Sequence, residues 1–212
     1  MNAHIKGCTA FVTGANQGIG KGFVEVLLDR GVAKVYAAAR RPDTLAPLVA
    51  LDPRRIVPVA LDVTDNESPR WVDITGDGRL EIVCSSKGRY GYASPDPKNP
   101  TAPFTWHPLS PDKKYHRFTH GLGVGDVNGD GRMDLLEKDG WWEQPASLAG
   151  DPVWKKHPFP FAPGRGSSQM LVADVNGDGL PDVVSAKDAH GYGLSWFEQV
   201  RGADGTITFK EH

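Results

Sequence analysis

The chain is short of several things, and each shortage removes a class of function. It has two cysteines in 212 residues, Cys8 and Cys84, far apart in sequence. Two such thiols make no disulfide framework of the kind that staples small secreted domains, and both are expected in a core. No run of about eighteen apolar residues occurs, so no helical membrane span is expected. The opening MNAHIKGCTAFVTG lacks the apolar stretch and small-residue cleavage site of a secretory leader. Taken at face value, that places the chain in the cytoplasm. Charge of one sign is also missing, because 24 Lys and Arg face 26 Asp and Glu. Without a basic field, neither nucleic acid nor an anionic membrane is an expected partner.

What is present is unevenly spread. All six Trp, beginning with Trp71, lie after residue 70. The first 66 residues are rich in Ala, Val and Leu and carry 8 Lys/Arg against 6 Asp/Glu, whereas the remainder carries 16 against 20. This shift marks a boundary at Asp65-Asn66-Glu67-Ser68-Pro69. An N-terminal segment (residues 1–66) and a C-terminal segment (residues 67–212) result. No Gly/Ser-rich linker joins them.

The C-terminal segment is organised around three copies of one acidic stretch. These are Asp73-Ile74-Thr75-Gly76-Asp77-Gly78-Arg79-Leu80-Glu81, Asp126-Val127-Asn128-Gly129-Asp130-Gly131-Arg132-Met133-Asp134 and Asp174-Val175-Asn176-Gly177-Asp178-Gly179-Leu180-Pro181-Asp182. Each puts oxygen-bearing side chains at positions 1, 3, 5 and 9 and a glycine at position 6. A hard cation such as calcium takes about six to eight oxygen ligands, which a short loop can gather only by curling tightly. Arg79, Arg132 and Leu180 at position 7 would each offer a backbone carbonyl. The pattern therefore points to calcium.

The longer repeat has a period of about fifty. First acidic positions fall 53 and 48 residues apart, and His107, His157 and His212 fall 50 and 55 apart. Trp141-Trp142-Glu143-Gln144 and Trp196-Phe197-Glu198-Gln199 are copies of each other. Each repeat, about 70–110, 121–160 and 169–212, holds about four short strands, the pattern of a β-propeller blade. A twelve-residue helix–loop–helix calcium site is the alternative. Glu137 fits its position 12, but Cys84 and Ser185 take that place elsewhere, and Pro181 and the glycines of 121–125 suit no flanking helix. These loops and repeats resemble the FG-GAP/VCBS-type repeats of integrin-like propellers and bacterial surface proteins. The resemblance implies calcium held at Asp73, Thr75, Asp77 and Glu81; at Asp126, Asn128, Asp130 and Asp134; and at Asp174, Asn176, Asp178 and Asp182. The first site, with Thr75 and the longer Glu81, is expected to bind most weakly. The three repeat histidines fall in separate repeats and are expected to be structural. His190 is the one histidine with a functional reading. The Trp residues are expected to pack between repeats, with carbohydrate stacking as the alternative.

The N-terminal segment reads as a β-α-β-α-β half-unit with a parallel sheet. Thr9–Thr13 is a strand, an amphipathic helix runs to about Arg30, and Lys34–Ala39 and Arg55–Leu61 are strands. Between the first strand and the helix lies Gly14-Ala15-Asn16-Gln17-Gly18-Ile19-Gly20. Glycines there let a backbone approach a pyrophosphate at a helix N-terminus. The spacing T-G-x-x-x-G-I-G resembles the short-chain dehydrogenase/reductase family. That implies a half Rossmann fold with a cofactor loop at Gly14, Asn16, Gln17, Gly18, Ile19 and Gly20, and an adenine contact at Asp62 and Val63. Arg40 and Arg41 end the second strand where an acid would select NAD(H), so NADP(H) is implied; the alternative is that both arginines are simply solvated. The family's catalytic Ser and Tyr-x-x-x-Lys have no counterpart, since none of the five tyrosines has a lysine four residues on.

The expected architecture is thus α/β plus all-β: a half Rossmann unit followed by three blades of an incomplete propeller. Both halves stop short of whole family members, which fits a composite chain. The leading expectation is a calcium-binding module for structural or adhesive contact with an unidentified protein or glycan, fused to a non-catalytic cofactor-binding remnant. An NADP(H)-dependent oxidoreductase fragment and a carbohydrate-binding propeller fragment are the alternatives.

Overall fold

In the computed structural model, which describes residues 5–61, 69–99, 102–115, 120–164 and 166–212, the chain divides into two units. One comprises Met1–Thr64 with Pro95–Thr105, the other Asp65–Ser94 with Trp106–His212. Residues 65–68 of the expected boundary lie outside the described residues, as do Asp62 and Val63.

The first unit contains β1 (Thr9–Val12), α1 (Gly18–Asp29), β2 (Lys34–Ala39), α2 (Ala46–Val49) and β3 (Ile56–Ala60), with a single helical turn at Pro42–Leu45 leading into α2. The strands form a parallel sheet in the order β1-β2-β3, with Phe11 opposite Tyr36 and Ala37 opposite Pro58. Parallel neighbours need a crossover, and the helices supply it. α1 stops at Gly31, whose positive φ of 77° suits glycine. The Gly31 N–H reaches the Leu28 carbonyl and the Val32 N–H the Leu27 carbonyl, a closed helix end. Val24, Val35, Ala37, Leu45, Leu48 and Ile56 form the core. Ile19, Phe23 and Val26 lie on the exposed side of α1. Cys84 is buried as expected, but Cys8 is exposed, because it precedes β1 rather than lying within it.

The second unit is built from three four-stranded antiparallel meanders. They are β4 (Arg70–Val72), β5 (Glu81–Ser86), β6 (Arg89–Ser94) and β7 (Thr105–Pro108); β8 (Leu122–Gly125), β9 (Asp134–Glu137), β10 (Gly140–Glu143) and β11 (Lys155–Pro158); and β12 (Met170–Ala173), β13 (Asp182–Ala186), β14 (Leu194–Arg201) and β15 (Ile207–Glu211). In each sheet the acidic segment is the loop between the first and second strands. Four strands per repeat match the expectation, and the helix–loop–helix alternative is set aside because strands flank every loop. The described strands close neither a barrel nor a propeller.

Neighbouring residues of a strand point to opposite faces, so paired apolar residues can bury both. Leu135 and Trp142 face the first sheet, packing with Ile74, Val83, Tyr90 and Leu109. Leu136 and Trp141 face the third, packing with Met170, Val183, Phe197 and Phe209. The middle sheet is thus covered on both sides. Each repeat histidine lies flat on the aromatic residue of the adjacent strand: His107 on Tyr92, His157 on Trp141 and His212 on Trp196, at 4.9, 4.1 and 4.4 Å. Their ring nitrogens meet Asp151, Glu143 and Glu198 at 2.7, 2.6 and 2.8 Å. They are structural parts of separate sheets.

The first strands approach each other closely, which explains the glycines of 121–125. A Cβ on Gly123 would sit 2.9 Å from Met170, and one on Gly125 2.5 Å from the Val172 side chain. Gly125→Ala is therefore expected to force β8 from β12 and to cost about 1–3 kcal/mol of stability. Equilibrium urea unfolding checks this; an unchanged midpoint would show that the strands are not held at this separation.

Candidate functional site

The three acidic loops close in the same way. In the first, both Asp73 oxygens accept backbone N–H bonds, from Gly76, Asp77 and Gly78 at 2.8, 3.0 and 2.8 Å. Asp126 does this with Gly129, Asp130 and Gly131 at 2.7, 3.0 and 2.8 Å. Asp174 does it with Gly177, Asp178 and Gly179 at 2.7, 3.1 and 3.0 Å. Position 5 repeats the device one step on: Asp77, Asp130 and Asp178 accept the N–H of Arg79, Arg132 and Leu180. The curl needs positive φ at positions 4 and 6, and glycine stands at both, for example Gly129 at 76° and Gly131 at 87°.

The loops differ at the rim. Arg79 and Arg132 fold back to pair with the carboxylates of Asp77 and Asp130. Leu180 supplies no such counter-ion, and the second oxygen of Asp178 meets the amide of Asn176 at 3.0 Å. In the first loop the Thr75 hydroxyl is buried without a hydrogen-bond partner. Among the described residues no three His, Cys, Asp or Glu side chains already converge as a metal-ligating group. Apart from that orphaned hydroxyl, the loop oxygens are turned to backbone amides, Asn or Arg.

The ninth-position acids lie beneath the loops rather than at the rim. Glu81, Asp134 and Asp182 are buried. One oxygen of each takes an N–H from its own loop: Ile74 and Thr75 on Glu81, Val127 on Asp134, Val175 on Asp182. The other oxygen of Asp134 takes the Gln144 N–H at 2.9 Å, and that of Asp182 the Gln199 N–H at 2.8 Å. The Gln side chains then cross to the preceding repeat. Gln144 donates to the Ile74 carbonyl at 2.7 Å, and Gln199 to the Val127 carbonyl at 2.8 Å. Both acceptors are at loop position 2. Ile82 pairs with Ala93, Leu135 with Trp142 and Val183 with Phe197, so Pro95 occupies the equivalent place in the first repeat. Proline has neither the N–H nor the amide. These glutamines were visible only as copied letters in the two Trp-rich segments; their partners lie about seventy residues away.

Burial raises the Asp134 carboxyl to about 7, above the usual 3.8, against the lowering effect of the Gln144 and Val127 N–H groups. Burial also raises Glu81. Beside the second loop is a polar groove of about 550 Å³ whose lining includes Asn128, Asp130, Glu143, Lys155, Arg201 and Thr206. His190 lies with its Nε2 3.0 Å from Nε2 of His120. Trp141, Trp142 and Trp154 are buried, which removes them as a sugar-stacking surface.

In the first unit, Gly14, Asn16, Gln17, Gly18, Ile19, Gly20 and Arg40 all line one cavity of about 880 Å³; Arg41 does not. α1 begins there with no side-chain cap and no acid in its first turn. Its first N–H groups are therefore available to an anion. Gly14 and Gly18 have positive φ, at 60° and 56°. A Cβ on Gly20 would lie 2.4 Å from the Gly14 carbonyl oxygen, so only glycine lets the helix seat this close to the loop.

Residues 73–137 match the family model described as FG-GAP-like repeat. The chain is also 38% identical over 82 residues to Oxidoreductase BOA17 of Botryotinia fuckeliana (strain B05.10), covering 37% of this chain and 30% of that protein. A short-chain dehydrogenase structure from Streptomyces avermitilis is 38% identical, covering 31% of this chain and 22% of that one, with a TM-score of 0.27. Another, from Burkholderia cenocepacia J2315 in complex with NADP, is 44% identical, covering 29% and 24%, with a TM-score of 0.24. The chain thus spans less than a third of the length of these relatives. It combines similarity to FG-GAP-like repeats with similarity to short-chain dehydrogenases, as its two sets of motifs imply.

The buried Asp134 gives the second unit a pH dependence. Its folded value of about 7 exceeds the usual 3.8, so folding takes up a proton between those limits. Its contribution to stability is complete below the lower value and is lost as pH rises through the upper one. Asp134→Asn removes that slope. In urea unfolding with EDTA, going from pH 5 to pH 8 should cost the wild type more stability than the variant, by at most about 1.4 kcal/mol per pH unit within the window. Parallel losses in the two proteins would show that Asp134 does not hold its proton.

Proposed function

We propose that residues 67–212 form a calcium-stiffened repeat module for structural or adhesive contact, joined to a non-catalytic dinucleotide-binding remnant. The observation that carries the calcium reading is the shared closure of three loops, each presenting oxygen-bearing side chains at positions 1, 3 and 5. Asp73, Thr75 and Asp77; Asp126, Asn128 and Asp130; and Asp174, Asn176 and Asp178 would hold the ion, with the carbonyls of Arg79, Arg132 and Leu180. Calcium supplies a positive centre that draws these oxygens inward. The orphaned Thr75 hydroxyl fits that role in the first loop. Glu81, Asp134 and Asp182 keep each loop pinned to its sheet.

Stiffening a loop stiffens more than the loop. The carbonyls of Ile74 and Val127, each within one, receive the glutamines of the following repeat. Calcium there would strengthen sheet-to-sheet contact, which suits a module that carries load or presents a fixed surface. Reading the sheets as propeller blades is supported by their meander order and by the close approach of their first strands. A protein or glycan partner with polar chemistry fits the groove beside the second loop. The loops should differ in affinity. The guanidinium of Arg79 or Arg132 competes with the ion, whereas Leu180 does not, so the third loop should bind most tightly and the first most weakly.

For the first unit, the uncapped start of α1 inside a cavity that includes Arg40 supports binding of NADP(H). The chain's own residues would seat the pyrophosphate against N–H groups and set Arg40 near a 2′-phosphate. Hydride transfer is not expected, since no Tyr-x-x-x-Lys accompanies the cradle.

Thermal melts with excess EDTA and with about millimolar calcium test the first reading. Calcium should raise the midpoint of the second unit by several degrees, and changing Asp130 and Asp178 together to Ala should remove that rise. An unmoved midpoint in the wild type would reduce the loops to polar turns. Fluorescence titration tests the second reading. NADPH should bind more tightly than NADH, and Arg40→Ala should weaken NADPH binding about tenfold while leaving NADH unchanged. Equal affinities in the wild type would remove the role given to Arg40.

A further inference from the structure

One hairpin of the second unit is longer than its counterparts. Lys87-Gly88 joins β5 to β6 and Lys138-Asp139 joins β9 to β10, whereas the seven residues 187–193 join β13 to β14. Two residues suffice to turn such a hairpin, so the added length is not needed for the turn. The longer loop is closed on itself. The Lys187 N–H reaches the Gly193 carbonyl at 2.9 Å, and the Asp188 carboxylate accepts the His190 N–H at 2.9 Å. It is also tied to the segment that leads into β8. Ala189 donates its N–H to the Gly166 carbonyl at 3.1 Å, and a Cβ on Gly166 would lie 2.3 Å from the His120 carbonyl oxygen. Three backbone segments are thus drawn together around Gly166, and they bring His190 to His120. The Nε2 atoms are 3.0 Å apart and the ring centroids 4.7 Å, so the two nitrogen corners face each other. His120 is buried and His190 exposed. His107, His157 and His212 each turn a ring nitrogen to a carboxylate, whereas His120 and His190 turn theirs to each other.

We propose that His120 and His190 are the paired ligands of a late transition-metal ion, copper(II) above all. Two nitrogens 3.0 Å apart, each about 2.0–2.1 Å from one ion, subtend about 91–97° at it. That is close to the cis angle of a tetragonal site and well under the tetrahedral angle. Imidazole nitrogen in tetragonal geometry selects copper(II), which also leads nickel and zinc in affinity. Calcium, which takes oxygen, is refused. Without the ion, one Nε2 carries the proton that the other accepts. Metal binding moves that proton to Nδ1, so both imidazoles stay neutral and bind through Nε2. His120 supplies the sheltered side of the site, and the exposed His190 leaves the remaining positions to water. His120 precedes β8 and His190 follows β13, whereas the acidic loops follow β8 and precede β13. The pair therefore sits at the strand ends away from those loops. There the ion staples the second sheet to the third, which Gln199 already joins at the loop end.

The probe is copper(II)–iminodiacetate, a chelate that leaves two cis positions for protein nitrogens, added to the full chain without a histidine tag. Electron paramagnetic resonance of the bound copper should show coupling to two imidazole nitrogens. The chelate should also shield His190 from carbethoxylation by diethyl pyrocarbonate. His190→Gln keeps a hydrogen-bonding side chain at the exposed position. It should weaken binding at least about tenfold while leaving the metal-free melting midpoint unchanged. Changing Asp130 and Asp178 together to Ala should leave the copper affinity as it was, which separates this site from the calcium reading. One coupled nitrogen or none, an unshielded His190, or an affinity untouched by His190→Gln would overturn the proposal and reduce the pair to a hydrogen bond. An affinity lost with Asp130 and Asp178 instead would put the ion in the acidic loops and overturn it too. The wild-type spectrum and shielding decide the matter even where a variant loses its fold.

Discussion

A buried carboxylate cannot be left without hydrogen-bond donors, and the ninth residue of each acidic loop turns that requirement into architecture. Asp134 and Asp182 meet it by taking one N–H from the loop above and one from the third strand of their own sheet or its end. The same contact fixes the glutamine whose side chain crosses to the preceding repeat. Loop shape, sheet and sheet-to-sheet contact therefore share one network, and a change at any point is felt at the others. The first repeat keeps its acid but has Pro95 in place of the glutamine, so it receives a successor without reaching a predecessor.

Around that network the packing is two-sided. Leu135-Leu136 and Trp141-Trp142 look redundant along the strand, yet each member of a pair belongs to a different core. Glycine does the opposite work in β8, where absent side chains let two first strands approach. The first unit uses glycine in the same manner at Gly20, seating a helix start against the turn that precedes it. α1 buries Val24 and keeps Ile19, Phe23 and Val26 on its exposed side, a helix with apolar residues on two faces and only one of them in the core.

The chemistry of the loops follows from what surrounds them. Their acids are kept close by backbone N–H groups, which hold negative charge together at modest cost. In two loops an arginine two residues on balances the charge further; in the third leucine stands there, and beyond the backbone the Asp178 carboxylate meets the neutral amide of Asn176. The same nine-residue plan thus gives two different electrostatic environments, one shared by the first two loops and one in the third.

Much of this was legible in the letters. The acidic loops, the fifty-residue period, four strands to a repeat and a glycine turn between strand and helix are local patterns, fixed by short-range sterics and hydrogen bonding. They could be read wherever chemistry is confined to a few consecutive residues, as at Asp126–Asp134 or Gly14–Gly20. What could not be read were relations across long separations: that Gln199 serves Val127, that Trp141 and Trp142 face different sheets, that Arg40 but not Arg41 lines the cavity. Nor could the sequence say that the ninth acid lies beneath its loop, since spacing alone makes it look like one more oxygen at the rim. Sequence determined which segments curl and which extend. Tertiary structure decided what those segments touch, because burial, and the hydrogen bonds burial demands, arise only when distant strands are packed together.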